Sequence, residues 1–154
     1  MERAWTLLHL FFAFSFVGTL VVADWNSRAA RATDDWSQRA GLFDIIARSS
    51  RIAGFGSLLM LGVFGNLLSA QLGYRMAVDP WLRWTNGLWL AAVLIMAIVC
   101  LPGSRRLEAI TRAAAAGGTA EEYPAALARW RTGNAVLSVL YVALLALMVF
   151  RWKG

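Results

Sequence analysis

The chain reads as an all-α polytopic membrane protein: an antiparallel bundle of four transmembrane helices with short amphipathic cytoplasmic connections. Three observations carry that expectation. Four apolar stretches, at about 4–23, 52–74, 84–102 and 132–150, each run 19 to 23 residues without one Asp, Glu, Lys or Arg. A hydrocarbon core of roughly 30 Å takes about 20 helical residues to cross. The 154-residue chain is 59% hydrophobic with a mean hydropathy of +0.56, and its 15 basic residues gather at the ends of those stretches. Four spans with short connections leave no room for a separate soluble domain, so residues 1–154 form one domain.

The first stretch also has features of a secretory leader, with Arg3 before an apolar run that closes on Val21, Val22 and Ala23. Its run exceeds the usual length of a leader's apolar region, and we take it as helix one. After it, Asp34 or Asp35 is placed to cap a short helix in which Trp36, Ala40, Phe43 and Ala47 share a face. Asp35 with Arg39, and Asp44 with Arg48, fall one helical turn apart. Two arrangements satisfy this pattern: an amphipathic helix lying along the headgroups, or helices one and two continuing beyond the bilayer.

Helix two carries Gly62, Gly65, Ser69 and Gly73, the last three spaced by four, a small-residue face that admits close approach of another helix. A tight external turn is expected over Arg75 to Arg83, with Asp79 and Pro80. Beyond helix three, a helix from Ser104 to Ala116 stops at Gly117 and Gly118. Thr119 to Glu122 then has the pattern of a capping box, and Pro124 suits the first turn of helix four. Trp5, Trp25, Trp81, Trp84, Trp89, Trp130 and Trp152 lie near span ends, as an aromatic belt would place them.

Charge gives the expected orientation. Connections one and three hold ten of the fifteen basic residues, against five at the second connection and the termini. Connections one and three are therefore expected in the cytoplasm and both termini outside, in the cytoplasmic membrane of a bacterium. Attraction to anionic headgroups accounts for the charge of +6 and leaves no basic patch for nucleic acid. Cys100 is the one cysteine, so no intrachain disulfide forms.

Polar groups inside hydrocarbon are costly unless they face a partner, so they mark inward-facing positions. His9 lies roughly 7 Å below the end of helix one at 1.5 Å per residue. Ser69, Gln71, Thr85 and Asn86 come to similar depth and Asn66 lies deeper, while Asn134 and Ser138 form a smaller cluster at the other end. Two readings of His9 follow. It serves as interhelical packing through a hydrogen bond to Gln71 or Asn86, or it is an axial haem ligand, with Met60, Met96 or a vacant position opposite. One His and one Cys at opposite ends do not make a zinc or copper site. No catalytic motif, phosphate loop or intramembrane carboxylate pair is present.

Leu8-His9-Leu10 with Val17-Gly18-Thr19-Leu20, then Tyr123-Pro124, Ala128-Arg129-Trp130, Gly133 and Leu147-Met148-Val149-Phe150, give the chain a familiar layout. It resembles a bacterial family of four-helix integral membrane proteins of unknown function. More distantly, it is similar to the copper-resistance D proteins and to the small four-helix protoporphyrinogen oxidases that bind haem. The resemblance implies haem at His9. Where those oxidases have Trp-Leu-His followed by a lysine, this chain has Trp81-Leu82-Arg83-Trp84, which removes the second histidine and the lysine. The expected role is a non-catalytic accessory or scaffold subunit of a larger membrane assembly, with a partner protein or a second copy. The alternative is a haem-binding protein in electron transfer or tetrapyrrole metabolism, and a permease ranks last.

Overall fold

A computed structural model describes residues 2–150. It contains four long helices: α1 (Glu2–Ala32), α2 (Trp36–Gln71), α3 (Pro80–Ala115) and α4 (Tyr123–Phe150). Arg151, Trp152 and Lys153, counted above among the outer charges and the aromatic belt, lie outside the described residues. All four helices are long and apolar enough to cross a membrane. Phe11, Phe14, Ile98, Val139 and Val142 are among the large side chains turned outward, each more than 60% exposed. Such a surface is stable only against lipid, so the chain is an all-α membrane bundle.

Each helix is longer than its charge-free span. At 36 residues, α2 and α3 are each about 54 Å long, well beyond the hydrocarbon core. This settles the first connection in favour of continued helices. Only Thr33, Asp34 and Asp35 separate α1 from α2, and Asp35 caps α2 by accepting the Ser37 N–H at 2.8 Å. A turn closed by the Tyr123 N–H on Ala120 O at 3.0 Å leads into α4, leaving the Thr119–Glu122 capping pattern ahead of the helix.

The other two connections are built by glycine at positive φ. Gly73 (φ 80°) ends α2, with Gly73 N–H to Ala70 O and Tyr74 N–H to Ser69 O, a Schellman stop. Gly117 (φ 89°) does the same for α3, with Gly118 N–H to Ala113 O. Gly73 therefore leaves the small-residue face proposed for helix two: it is a helix terminator with open space at its Cβ position. Residues 72–79 form the second connection, where the Asp79 carboxylate accepts the Arg75 N–H at 2.8 Å before Pro80 opens α3.

Two π-helical segments, Ser50–Phe55 in α2 and Met96–Cys100 in α3, interrupt these helices near mid-length. An extra residue per turn rotates the face that follows. Along its whole length α2 packs on α1, and α3 on α4; α2 and α3 lie closely against each other only on the basic side of the π segments and touch sparsely beyond them. The bundle thus opens between α2 and α3 at its waist. We call the end carrying connections one and three the basic end, and the other the histidine end.

At the basic end Phe43, Ile46, Leu107 and Trp130 are buried in one core. Phe43 meets Tyr123 and Trp130 edge-on at 6.1 and 6.3 Å between centroids. A second core at the waist holds Phe16, Leu58, Met96, Cys100 and Leu137. Gly133 lets α4 settle on Val99 and Cys100 there; a Cβ on it would come within 2.8 Å of the valine.

Candidate functional site

Above the waist the helices part around a cavity of about 320 Å³ at the histidine end. Its polar lining includes His9 of α1, Asn66 and Ser69 of α2, and Thr85 and Asn86 of α3, with the phenol of Tyr141 on α4. Leu10, Leu144 and Leu145 are among its apolar walls.

The His9 ring sits against Gly65, where a Cβ would lie 3.0 Å from Cε1 and 3.2 Å from Nδ1. A Cβ there would push the imidazole back by a few tenths of an ångström. Nδ1 lies 3.1 Å from Leu61 O, and a carbonyl only accepts, so Nδ1 carries the proton. Nε2 is then an acceptor in a fixed tautomer, with no hydrogen-bond partner among the described residues. This pairing, to a helix carbonyl, replaces the expected one to Gln71 or Asn86.

Asn66 and Asn86 join α2 to α3. Asn66 Nδ2 donates to Gly62 O at 2.9 Å and to Asn86 Oδ1 at 2.8 Å, and Asn86 Nδ2 donates to Leu82 O at 2.9 Å. Ser69 and Thr85 donate back to carbonyls on their own helices, Gly65 O at 2.9 Å and Trp81 O at 2.8 Å. Trp89 lays its indole on Gly62, where a Cβ would fall 2.2 Å from Cε2, and donates Nε1–H to Leu58 O at 2.8 Å. The donors of His9, Asn66, Ser69, Thr85 and Trp89 are all engaged, while His9 Nε2 and Asn66 Oδ1 have no partner among the described residues. Toward its interior, this part of the lining presents mainly acceptors.

Gln71 is exposed at the last turn of α2, outside the lining. Ser138 is exposed, and its hydroxyl donates to Asn134 O at 3.0 Å. These two residues line a separate groove along α1 and α4, with Asp24 and Ser27. Met60 is 39% exposed and Met96 lies in the waist core, so neither reaches the cavity; Met148 does. Gly62 and Gly65 do provide close approaches, the first to Trp89 and the second to His9.

Three tryptophans assigned above to the aromatic belt have other roles. Trp130 is 2% exposed in the basic-end core, seated on Gly103. Trp81 is buried beside the cavity, edge-on to Tyr74 at 5.1 Å, and Trp89 ties α3 to α2. Trp25 and Trp84 face outward at 74% and 62% exposure, as belt residues do. Trp81, Trp89 and Tyr141, which line the cavity, carry no signal in the sequence that separates them from lipid-facing aromatics.

Among the described residues no three of His, Cys, Asp and Glu come together as metal ligands. No family model, curated protein or solved structure matches the chain.

Proposed function

We propose that this protein is a non-catalytic accessory subunit of a membrane assembly that holds an apolar ligand in its histidine-end cavity. The observation that carries the reading is the His9 ring: anchored through Nδ1 to Leu61 O, seated on Gly65, and presenting an unpaired Nε2 in a cavity wall. Burying an imidazole in hydrocarbon has a free-energy cost that simple helix packing, obtainable with an apolar side chain, does not require. Nε2 and Asn66 Oδ1 as unpaired acceptors select a ligand that brings its own donor, such as an apolar alcohol or a quinol. The 320 Å³ volume lies at the small end of the roughly 300–1,000 Å³ typical of ligand pockets.

The test is native mass spectrometry of the protein released gently from its membrane. A bound small molecule that is lost in His9→Phe and retained in Trp84→Phe is the expected result. An empty wild-type cavity, or a ligand indifferent to His9→Phe, overturns the reading. Purification of the chain as a stable monomer with no companion protein counts against the accessory role.

Haem is a second reading, favoured by the same anchored imidazole, because axial histidines commonly donate their other N–H to a carbonyl. The residues present fit the axial bond alone. No Lys or Arg lines the cavity to receive two propionates, and Met148 is the other soft donor. A Soret band that disappears in His9→Ala would restore haem to first place.

The bias of ten basic residues to five supports a cytoplasmic location for the basic end, with both termini outside a bacterial inner membrane. Alkaline-phosphatase and fluorescent-protein fusions at the C-terminus check this: phosphatase activity without fluorescence is expected.

A further inference from the structure

We propose that the groove between α2 and α3 at the basic end binds the phosphodiester of an anionic phospholipid. The groove encloses about 530 Å³ and is lined by Arg48, Arg51, Arg105 and Arg112 together with Asp44 and Glu108. Four guanidinium groups against two carboxylates leave two positive charges in surplus. The pairing is uneven. Asp44 lies 2.9 Å from Arg48 Nε and 3.6 Å from Arg112, and Glu108 lies 2.8 Å from Arg112. Both acids are thus engaged by Arg48 and Arg112, whereas Arg51 and Arg105 have no acidic partner among the described residues. Both are exposed.

Their depth points to lipid. Arg51 is the last charged residue before the charge-free run of α2, and Arg105 is the first charged residue after the charge-free run of α3. The antiparallel α2–α3 pairing brings these positions together: Asp44 and Arg112, each seven residues further toward the basic end, meet across the two helices at 3.6 Å, and Arg51 and Arg105 line the same groove. Arg51 and Arg105 therefore flank the groove at the plane where hydrocarbon gives way to headgroups. Ile52, beside Arg51 and 71% exposed, offers an apolar contact for an acyl chain at the same site. Guanidinium forks match the two free oxygens of a phosphodiester, and a lipid phosphate delivers them at this depth. This site is independent of the histidine-end cavity and stands whether or not that cavity holds a ligand.

The experiment uses the full chain in non-ionic detergent, titrated with phosphatidylglycerol or phosphatidylcholine and read by native mass spectrometry. Phosphatidylglycerol is expected to bind more tightly, and Arg51→Gln with Arg105→Gln to weaken it tenfold or more, at roughly fivefold per charge. Phosphatidylcholine retention should stay unchanged, as should both lipids in the control Arg83→Gln at the opposite end. Arg51→Lys with Arg105→Lys, which keeps charge and loses the fork, should fall between, and circular dichroism establishes that each variant is folded. Equal retention of the two lipids, or no loss in the glutamine pair, overturns the proposal. So does displacement of the lipid by millimolar inorganic phosphate, which assigns the groove to a soluble anion.

Discussion

At the basic end the four helices close around interlocked aromatic rings, whereas at the histidine end the same helices stand apart around a cavity. The difference follows from which residues bridge the helices. Phe43, Tyr123 and Trp130 fill the basic end, and Arg39 locks it from outside. Its guanidinium lies 4.4 Å over Trp36 and 5.5 Å over Tyr123, while its Nε donates to Ala30 O at 3.0 Å and Thr33 O at 2.9 Å. These are carbonyls at the end of α1 that would otherwise lack partners. At the histidine end, stacked rings join α1 to α2, with Phe64 5.7 Å from Trp5 and 5.4 Å from Phe12. Between α2 and α3, by contrast, the bridges are few and polar: the Asn66–Asn86 hydrogen bond and the Trp89 indole on Gly62. Dense apolar packing resists opening, and a few polar bridges around a void leave space for a guest.

The contrast can be broken by mutation, and the largest effect should come from Trp130→Ala. Removing a ring that is 2% exposed leaves a cavity in the basic-end core, with an expected loss of roughly 3–5 kcal/mol. Trp84→Ala, at 62% exposure toward lipid, should cost less than about 1 kcal/mol. Unfolding in mixed micelles measures both, and similar losses would contradict the packing difference. Next in size is Arg39→Met, which removes the carbonyl bonds and the stacked charge together. At 14% exposure its bonds are only weakly screened, so a loss of roughly 2 kcal/mol is expected. Asn66→Ala at the other end should cost about 0.6 kcal/mol, the average of interhelical hydrogen bonds in membranes, and should loosen the cavity more than the fold.

The spans were legible in the sequence because exclusion of charge over bilayer length is imposed by lipid at each position, independently of tertiary partners. Their continuation as helices at the basic end was not, since Trp36 to Ser49 and Leu101 to Ala115 satisfy their polar faces equally well on a headgroup surface. Only the close fit of these two segments against each other decides between the arrangements. Polar residues were legible in proportion to the cost of exposing them to hydrocarbon. His9, Asn66, Ser69, Thr85 and Asn86 converge on one cavity, while Gln71, at a helix end where a polar group costs less, stays outside it. Gly73 carried an ambiguity of its own, because a four-residue spacing of small residues fits a packing face and a terminator alike until φ is known. The parting of α2 from α3 at the π segments left no mark, as neither Ser50–Phe55 nor Met96–Cys100 has a composition that distinguishes it from α-helix.

Tyr123→Phe sharpens the comparison from the other direction. The Tyr123 hydroxyl is buried in the basic-end core without a hydrogen-bond partner among the described residues. Deleting it removes a desolvated polar group and keeps the ring that packs on Trp36 and Phe43, so stability should hold or rise slightly, within about 1 kcal/mol. A clear loss would mean that the core depends on that oxygen as well as on ring packing.

The smallest effect belongs to the connection that holds the basic end together. Hydrogen bonds from the Ser37 backbone and side chain hold the Asp35 carboxyl below its usual range. A depressed folded value means the cap's contribution is fully present above the ordinary carboxylate range and fades as pH falls through that folded value. The stability difference between wild type and Asp35→Ala should therefore be constant at neutral pH and shrink on acidification through and below the ordinary carboxylate range. Because the capping side chain is fully exposed, salt should reduce the difference as well. A difference that grew toward low pH would mean that protonation strengthens the cap, contrary to a carboxylate accepting N–H groups at a helix start.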